Sequence, residues 1–327
     1  MVLGIFLVTF LAAAVEWVEA MTIVLAVGTV KGWRSAVAGG ISAMLVLIVM
    51  VVVFGVAITT YVPIGAFKVI IGAFLLLFGL KWLHKAILRS AGLKAMHDEA
   101  KAFSETQEQL RAQQSTAAAA LDWVGVGTSF NGVLLEGLEV AFIVVALGGI
   151  GIDGIRSAAL GGIVALVAVL AVGLVLRAPL TRVPENALKY FVGVMLTSFG
   201  TFFSGEGIGI KWWHDDLSIL LLLAAYGLAS LLAVQLLKQP VRAAGGPRVL
   251  PIRIVSAIAH EVWGLFVDDG SLAVMAVAVL LAVAVLLDRG PNLSGAAGLL
   301  MVVGVLVALG GAIARGSAEI RRKLPGK

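Results

Sequence analysis

The sequence predicts an all-α polytopic membrane protein that contains two inverted three-helix repeats plus about three further membrane spans. Of the 327 residues, 61% are hydrophobic and only 13% are charged, a balance that soluble domains do not have. Apolar runs long enough to cross a bilayer, which needs about 20 residues, recur along the whole chain. In addition, a pattern in the first 83 residues returns after residue 122. These three observations together predict the fold class.

Nine apolar runs are predicted as membrane spans, near 2–27, 36–59, 63–83, 124–149, 157–176, 187–203, 216–237, 270–287 and 292–313. The first run is interpreted as a retained span, because it is longer than the apolar core of a secretory signal and contains Glu16 and Glu19. The shorter run 252–267 is predicted to lie in the membrane interface or to form a re-entrant segment. The mixed-charge stretch 84–122 is predicted as a cytoplasmic helical linker, with a solvated helix as the simplest interpretation.

Basic residues in the loops predict the orientation. With the N-terminus outside and the C-terminus inside, the basic loops near 31–34, 81–111, 177–182 and 238–253 and the tail after 315 all face the cytoplasm. We therefore expect an integral protein of the cytoplasmic (inner) membrane of a prokaryote. The net charge of +5 is assigned to these topology signals, and no nucleic-acid partner is predicted. The absence of cysteine excludes disulfides and thiolate metal sites.

The two halves of the chain repeat in three blocks of similar spacing. At an offset of 120, the set Glu16, Glu19, Ile23 and Gly28 returns as Glu136, Glu139, Ile143 and Gly148; at 122, Arg34, Ser35 and Gly39 return as Arg156, Ser157 and Gly161; at 121, Pro63, Lys68, Gly72 and Gly79 return as Pro184, Lys189, Gly193 and Gly200. Each repeat holds three spans, so the second copy is predicted to be inverted, as in many secondary transporters. The predicted divisions are 1–83, 84–122, 123–207, a seventh span at 208–238, and an interfacial helix with two spans at 239–327.

Four glutamates inside the spans are the strongest functional signal. Glu16 and Glu19, and likewise Glu136 and Glu139, are three residues apart and so share one face of a helix. Four such acids cost on the order of 10 kcal/mol on insertion scales, so something must compensate them. Inversion would bring the two pairs together as a hard oxygen site suited to Mg²⁺, Ca²⁺, Mn²⁺ or iron. Because ligands must lose their protons to a cation, an arriving metal would displace protons from this site.

Other polar residues are weaker candidates for the ion path. Glu206, Asp215 and Asp216 are expected near the outer end of the sixth span, where an acidic rim would collect cations; an ordinary polar loop explains them equally simply. Thr9, Ser129 and Asn131 fall one or two turns from the acids and are candidates to line the path.

These motifs resemble those of the high-affinity iron permeases, which carry Arg-Glu-x-x-Glu in the first and fourth of seven spans. Glu136-Gly137-Leu138-Glu139 is the closer match, and the likeness covers about residues 1–237. Val15 and Leu135 replace the arginine in both copies, which makes the site more anionic, and Trp17 replaces a glycine. The resemblance implies transport of Fe²⁺ or Fe³⁺, with Mn²⁺ as a further candidate, by Glu16, Glu19, Glu136 and Glu139. It also implies an external oxidase or periplasmic partner.

Several functions compete for the same residues. The main expectation is a metal-cation transporter, in contact with membrane lipid, with no resident cofactor and no enzymatic activity; a homo-oligomer is compatible with the sequence. The alternative is a proton-coupled exporter of another small solute, in which the glutamates carry only protons. A carboxylate-bridged metalloenzyme is disfavoured, because such sites usually add Glu-x-x-His spacing and the acid-bearing spans contain no histidine. A purely structural role in the membrane would not explain why four glutamates lie within the spans.

Overall fold

The structure is a computed structural model that describes residues 2–61, 63–94, 99–113, 121–148, 152–176, 185–214, 217–238, 270–290 and 294–323. Within these ranges the chain forms ten α-helices and no β-strand. The helices are α1 (Leu3–Lys31), α2 (Trp33–Tyr61), α3 (Ile64–Ser90), α4 (Glu99–Ala112), α5 (Trp123–Gly148), α6 (Ile152–Leu176), α7 (Glu185–Gly207), α8 (Ser218–Leu237), α9 (Gly270–Arg289) and α10 (Ser294–Lys323).

Nine of the helices in the described ranges are long and apolar enough to cross a membrane, and α4 is the exception. This agrees with the nine spans expected from the sequence and confirms an all-α polytopic membrane protein. The predicted interfacial run 252–267 lies outside the described residues.

Helix α3 is longer than its predicted span. The apolar run ends near residue 83, but the helix continues to Ser90, and the added turns bury Ile87 and Leu88. Lys85 and Arg89 lower the hydropathy of this segment, so hydropathy alone places its end too early. The stretch predicted as a linker therefore begins inside α3.

The chain divides into two compact units. Unit 1 consists of Met1–Tyr61 and His97–Glu185, and unit 2 consists of Val62–Met96 and Asn186–Lys327. Unit 1 thus contains α1, α2, α4, α5 and α6, whereas unit 2 contains α3 and α7 to α10. The first two spans of each predicted repeat lie in unit 1, and the third spans lie in unit 2.

In unit 1, α1 packs against α5 and α6, and α2 packs against α5. Gly39 of α2 lies so close to α5 that a Cβ atom would collide with the carbonyl oxygen of Val126. Gly161 of α6 lies in the same way against α1, where a Cβ atom would be 2.6 Å from the carbonyl oxygen of Phe6. Only glycine permits such a close approach. The two contacts involve positions related by the repeat offsets of 122 and 120.

Two hydrogen bonds in unit 1 follow the same offsets. The backbone N–H of Asp122 donates to Ser35 Oγ at 2.8 Å, and the backbone N–H of Val2 donates to Ser157 Oγ at 2.8 Å. Val2 and Asp122 are 120 residues apart, and the two serines are 122 apart. One pattern of contacts therefore occurs twice within unit 1.

In unit 2, α3 and α7 approach each other through four glycines, whose added Cβ atoms would collide with the opposite helix: Gly72 faces Ser204, Gly193 faces Leu83, Gly79 faces Thr197 and Gly200 faces Leu76. These contacts form two pairs related by an offset of 121. Helices α8, α9 and α10 complete an apolar core with α3 and α7. Within it, the buried hydroxyl groups of Thr201 and Tyr226 are hydrogen-bonded at 2.9 Å. This bond satisfies two groups that would otherwise be costly to bury.

Candidate metal centre

The acid-bearing motifs lie at the middle of their helices. Glu16 is thirteen residues after Leu3 and fifteen before Lys31, and Glu136 is thirteen residues after Trp123. At 1.5 Å per residue, Glu16 and Glu136 are each roughly 18–20 Å along the axis from the nearest end of their helix. An acid at this depth of a membrane span is among the most expensive placements a side chain can have.

Antiparallel packing in unit 1 brings the two motifs to the same level. Lys31, at the end of α1, lies beside Gly125 at the start of α5, and α1 and α5 pack along each other. Because the last turn of one helix meets the first turn of the other, their midpoints also meet. The glutamates of α1 and α5 are therefore neighbours.

Three of the four glutamates form a cluster. The carboxyl oxygens of Glu16, Glu136 and Glu139 all lie within 4.8 Å of one another. Glu16 is 1% exposed, Glu139 is 6% exposed and Glu136 is half-buried. The side chains of Glu16 and Glu136 are hydrogen-bonded to each other. Two carboxyl groups can share a hydrogen bond only when one of them carries a proton.

Glu19 takes a different position from its sequence counterpart Glu139. It is half-buried and acts electrostatically on Glu136, but it does not belong to the group of three. The sequence predicts four equivalent ligands, whereas the structure brings three together and places the fourth beside them.

The residue between the two acids differs between the motifs and packs in opposite ways. Trp17 fills space between α1 and α6, and its indole N–H donates to the carbonyl oxygen of Gly162 at 3.3 Å. Gly137, at the equivalent position of α5, makes room for Leu47 of α2, whose Cδ1 would collide with an added Cβ. The first motif therefore packs against α6 through the indole ring of Trp17, whereas the second packs closely against α2 because Gly137 has no side chain.

The weaker candidates lie in several places. Thr9 and Ser129 are fully buried, and each packs against a close-approach glycine of the neighbouring helix, while Asn131 is exposed. Glu206 forms an ion pair with Lys68 at 3.0 Å within unit 2. Asp215 and Asp216 lie outside the described residues.

The cluster has the chemistry of a hard-cation site. Its ligand atoms are all carboxyl oxygens, which suit Mg²⁺, Ca²⁺, Mn²⁺ and iron. Two ionised carboxylates 4.8 Å apart repel each other by about 3.5 kcal/mol at an effective dielectric constant of 20. A cation or protons must offset this repulsion, so the cluster can exchange one for the other.

Sequence reasoning missed a polar group at the end of unit 1 where α1 meets α5. Asp122 forms an ion pair with Lys31 at 3.6 Å, and its Oδ1 accepts the backbone N–H of Val124 at 3.0 Å. An aspartate directly before an apolar run is a helix-capping signal, which was available in the sequence. The ion pair with Lys31 depends on how α1 and α5 pack, so the sequence alone did not indicate it.

No family model, curated protein or solved structure matches the chain. The likeness to iron permeases therefore rests on the motifs quoted above.

Proposed function

We propose that the protein is a membrane transporter of a metal cation that binds at the glutamates of α1 and α5. Iron is the first candidate substrate, and manganese or another divalent cation is the second. The observation that carries the proposal is the meeting of Glu16, Glu136 and Glu139 in the middle of two spans, with their oxygens within 4.8 Å. Glu19 would complete the ligand set when a cation draws its side chain inward.

The energetic case follows from depth and charge. Three acids at mid-span cost about 7–10 kcal/mol on insertion scales, which is comparable to the net stability of a whole domain. A scaffold would gain nothing from this cost. A transporter gains a site that is hard enough to select a metal cation and that releases protons when the cation binds.

The doubled contacts support an inverted-repeat architecture. In unit 1, Gly39 of α2 closely approaches α5, and Gly161 of α6 approaches α1 in the same way. Inverted repeats in secondary transporters place the substrate site near the midplane, which is where the glutamate cluster lies in its helices. From the basic loops and the permease-like motifs of the sequence, we extend the proposal to the cytoplasmic membrane of a prokaryote, with the N-terminus outside and with an external oxidase or periplasmic partner.

Metal uptake into proteoliposomes tests the function. Fe²⁺, Fe³⁺, Mn²⁺ and Ca²⁺ would be compared for the wild type, Glu16→Gln and Glu136→Gln. The matched control is Asp288→Asn, because Asp288 is an exposed acid at the end of α9. We expect selective flux of one metal, a loss of at least tenfold in both glutamate variants, and no loss in the control. Equal flux in all four proteins would refute the site.

A second candidate function is proton-coupled export of another small solute. The close approach of Glu16 and Glu136 favours it, because neighbouring carboxyl groups can share and transfer a proton. Metal-free proteoliposomes with an imposed pH gradient separate the two functions. Proton flux that depends on Glu136 but is unaffected by any of the four metals would favour the exporter, whereas proton release only on metal addition favours the metal transporter.

A further inference from the structure

Helix α4 packs onto unit 1 instead of lying free in solvent. Its sequence is mostly polar, yet it packs along α1. Leu110 is only 2% exposed, and it packs in one cluster with Val27 of α1, Ala36 of α2 and Val124 of α5. The side chain therefore fills the point at which three helices meet at one end of unit 1.

Polar contacts hold α4 in this position. The side-chain amide of Gln107 donates to Thr29 Oγ1 at 2.8 Å, and the amine of Lys31 donates to the carbonyl oxygen of Gln113 at 2.9 Å. The same amine lies 3.6 Å from Asp122, and the two side chains are only 4% and 3% exposed. Lys31 thus ties the chain after α4 to the start of α5 through a buried ion pair.

The sequence does not repeat this arrangement at the opposite end of unit 1. The repeat offset of 120 relates Lys31 to Gly151 and Asp122 to Val2, and neither counterpart has an ionisable side chain. Helix α4 has no counterpart either, because it lies between the two halves of the sequence. Among the described residues of unit 1, the two ends therefore differ, although the helix contacts otherwise repeat.

We propose that α4 is a gate at this end of unit 1, with Leu110 as its plug and the Lys31–Asp122 ion pair as its latch. The inference rests on the proposed transport function, since a cation needs a way between the glutamates and the membrane surface. Glu16 lies fifteen residues before Lys31, or roughly 22 Å along the helix. Leu110 packs at this end against Val27 of α1 and Val124 of α5, the two helices that carry the glutamates. Release therefore requires the latch to open and α4 to move away from α1.

A labelling experiment tests the closure without any reference to transport. The chain contains no cysteine, so single cysteines can be introduced without background. Leu110→Cys would be compared with Gln109→Cys, its exposed neighbour, for the rate of modification by a charged methanethiosulfonate in detergent. We expect Leu110→Cys to react at least tenfold more slowly. Adding Asp122→Asn, which keeps the capping oxygen but removes the charge, should raise that rate at least tenfold and leave the Gln109→Cys rate unchanged.

Equal rates at the two cysteines, or a Leu110→Cys rate that is insensitive to Asp122→Asn, would overturn the gate. If the double variant does not fold, Lys31→Gln replaces Asp122→Asn as the latch variant and the same rates are compared.

A reversible bridge then links the gate to transport. Thr29→Cys and Gln107→Cys would be joined by a short bifunctional methanethiosulfonate, and each single variant would receive the same reagent as a control. We expect the bridged protein to bind Mn²⁺ as the unbridged one does, to lose at least tenfold in metal flux, and to recover on reduction. Undiminished flux with the bridge in place would refute the gate. Latch-dependent labelling without metal flux in any state would refute the transporter proposal while supporting closure by α4.

Discussion

Replacing Glu136 by glutamine is expected to make the metal-free protein more stable. Glu136 has two carboxyl neighbours with oxygens within 4.8 Å, and each ionised pair costs about 3.5 kcal/mol at an effective dielectric constant of 20. A proton shared between Glu16 and Glu136 would relieve part of this repulsion through a hydrogen bond. Glutamine keeps a donor for that bond and removes the charge. We therefore expect a net gain of roughly 1–3 kcal/mol, which is smaller than the full repulsion of two pairs.

Thermal unfolding in detergent, followed by the fluorescence of the seven tryptophans, measures this gain. At about 2–4 °C per kcal/mol for a large domain, the midpoint should rise by several degrees. Mn²⁺ or Fe²⁺ should stabilise the wild type by binding the folded state and should stabilise the variant much less.

Glu206→Gln is the matched control with the opposite expectation. Glu206 is paired with Lys68 at 3.0 Å, and both side chains are partly exposed, so the substitution should cost at most about 1 kcal/mol. The reasoning fails if Glu136→Gln lowers the midpoint of thermal unfolding in the absence of metal. It also fails if a cation stabilises Glu136→Gln as much as it stabilises Glu206→Gln and the wild type.

Three further substitutions test the packing around the site. Gly39→Ala should destabilise the protein by roughly 1–3 kcal/mol, because the added Cβ would collide with the backbone of α5. The control Gly127→Ala should be neutral or stabilising, because there is open space around Gly127. Equal midpoints of thermal unfolding for the two variants would contradict the close approach. Trp17→Phe removes the hydrogen bond from the indole N–H to α6 and should cost about 1 kcal/mol of stability. Mn²⁺ affinity, measured by calorimetry, should also fall. Unchanged affinity would show that the ring does not position the acids. Tyr226→Phe removes one hydrogen bond of Thr201 Oγ1 but leaves its bond to the carbonyl oxygen of Thr197, so it should cost about 0.5–1.5 kcal/mol in thermal unfolding. Mn²⁺ affinity should stay constant, and a loss of affinity would refute the assignment of the site to unit 1 alone.

Hydropathy predicted the spans well because each of them must offer about 20 apolar residues whatever it packs against. It failed at the end of α3, where Ile87 and Leu88 are buried beside lysines and arginines that lower the average. It also favoured a solvated α4. Phe103 and Leu110 are seven residues apart and share a helix face, and this spacing was a signal that one side of α4 is buried.

The sequence indicated which helices carry the site but could not distinguish its members. Repetition treats Glu19 and Glu139 as equivalent, yet Glu139 belongs to the cluster and Glu19 lies beside it. The difference goes together with the unequal neighbours, Trp17 in one motif and Gly137 in the other, which pack against different helices. Which helix each of these residues packs against depends on the tertiary structure and cannot be read from periodicity in the sequence.

The interleaving of the halves in unit 1 also sets an order of events during biosynthesis. Glu16 is made 120 residues before Glu136, which corresponds to about 6–24 s at 5–20 residues per second. For much of that interval α1 and α2 have been synthesised but α5 and α6 have not, so the acids of the first motif are present without those of the second. The first half of the protein is thus an unfinished membrane protein until the second half arrives, and a ribosome that stalls in the linker leaves a chain that cannot assemble its own site.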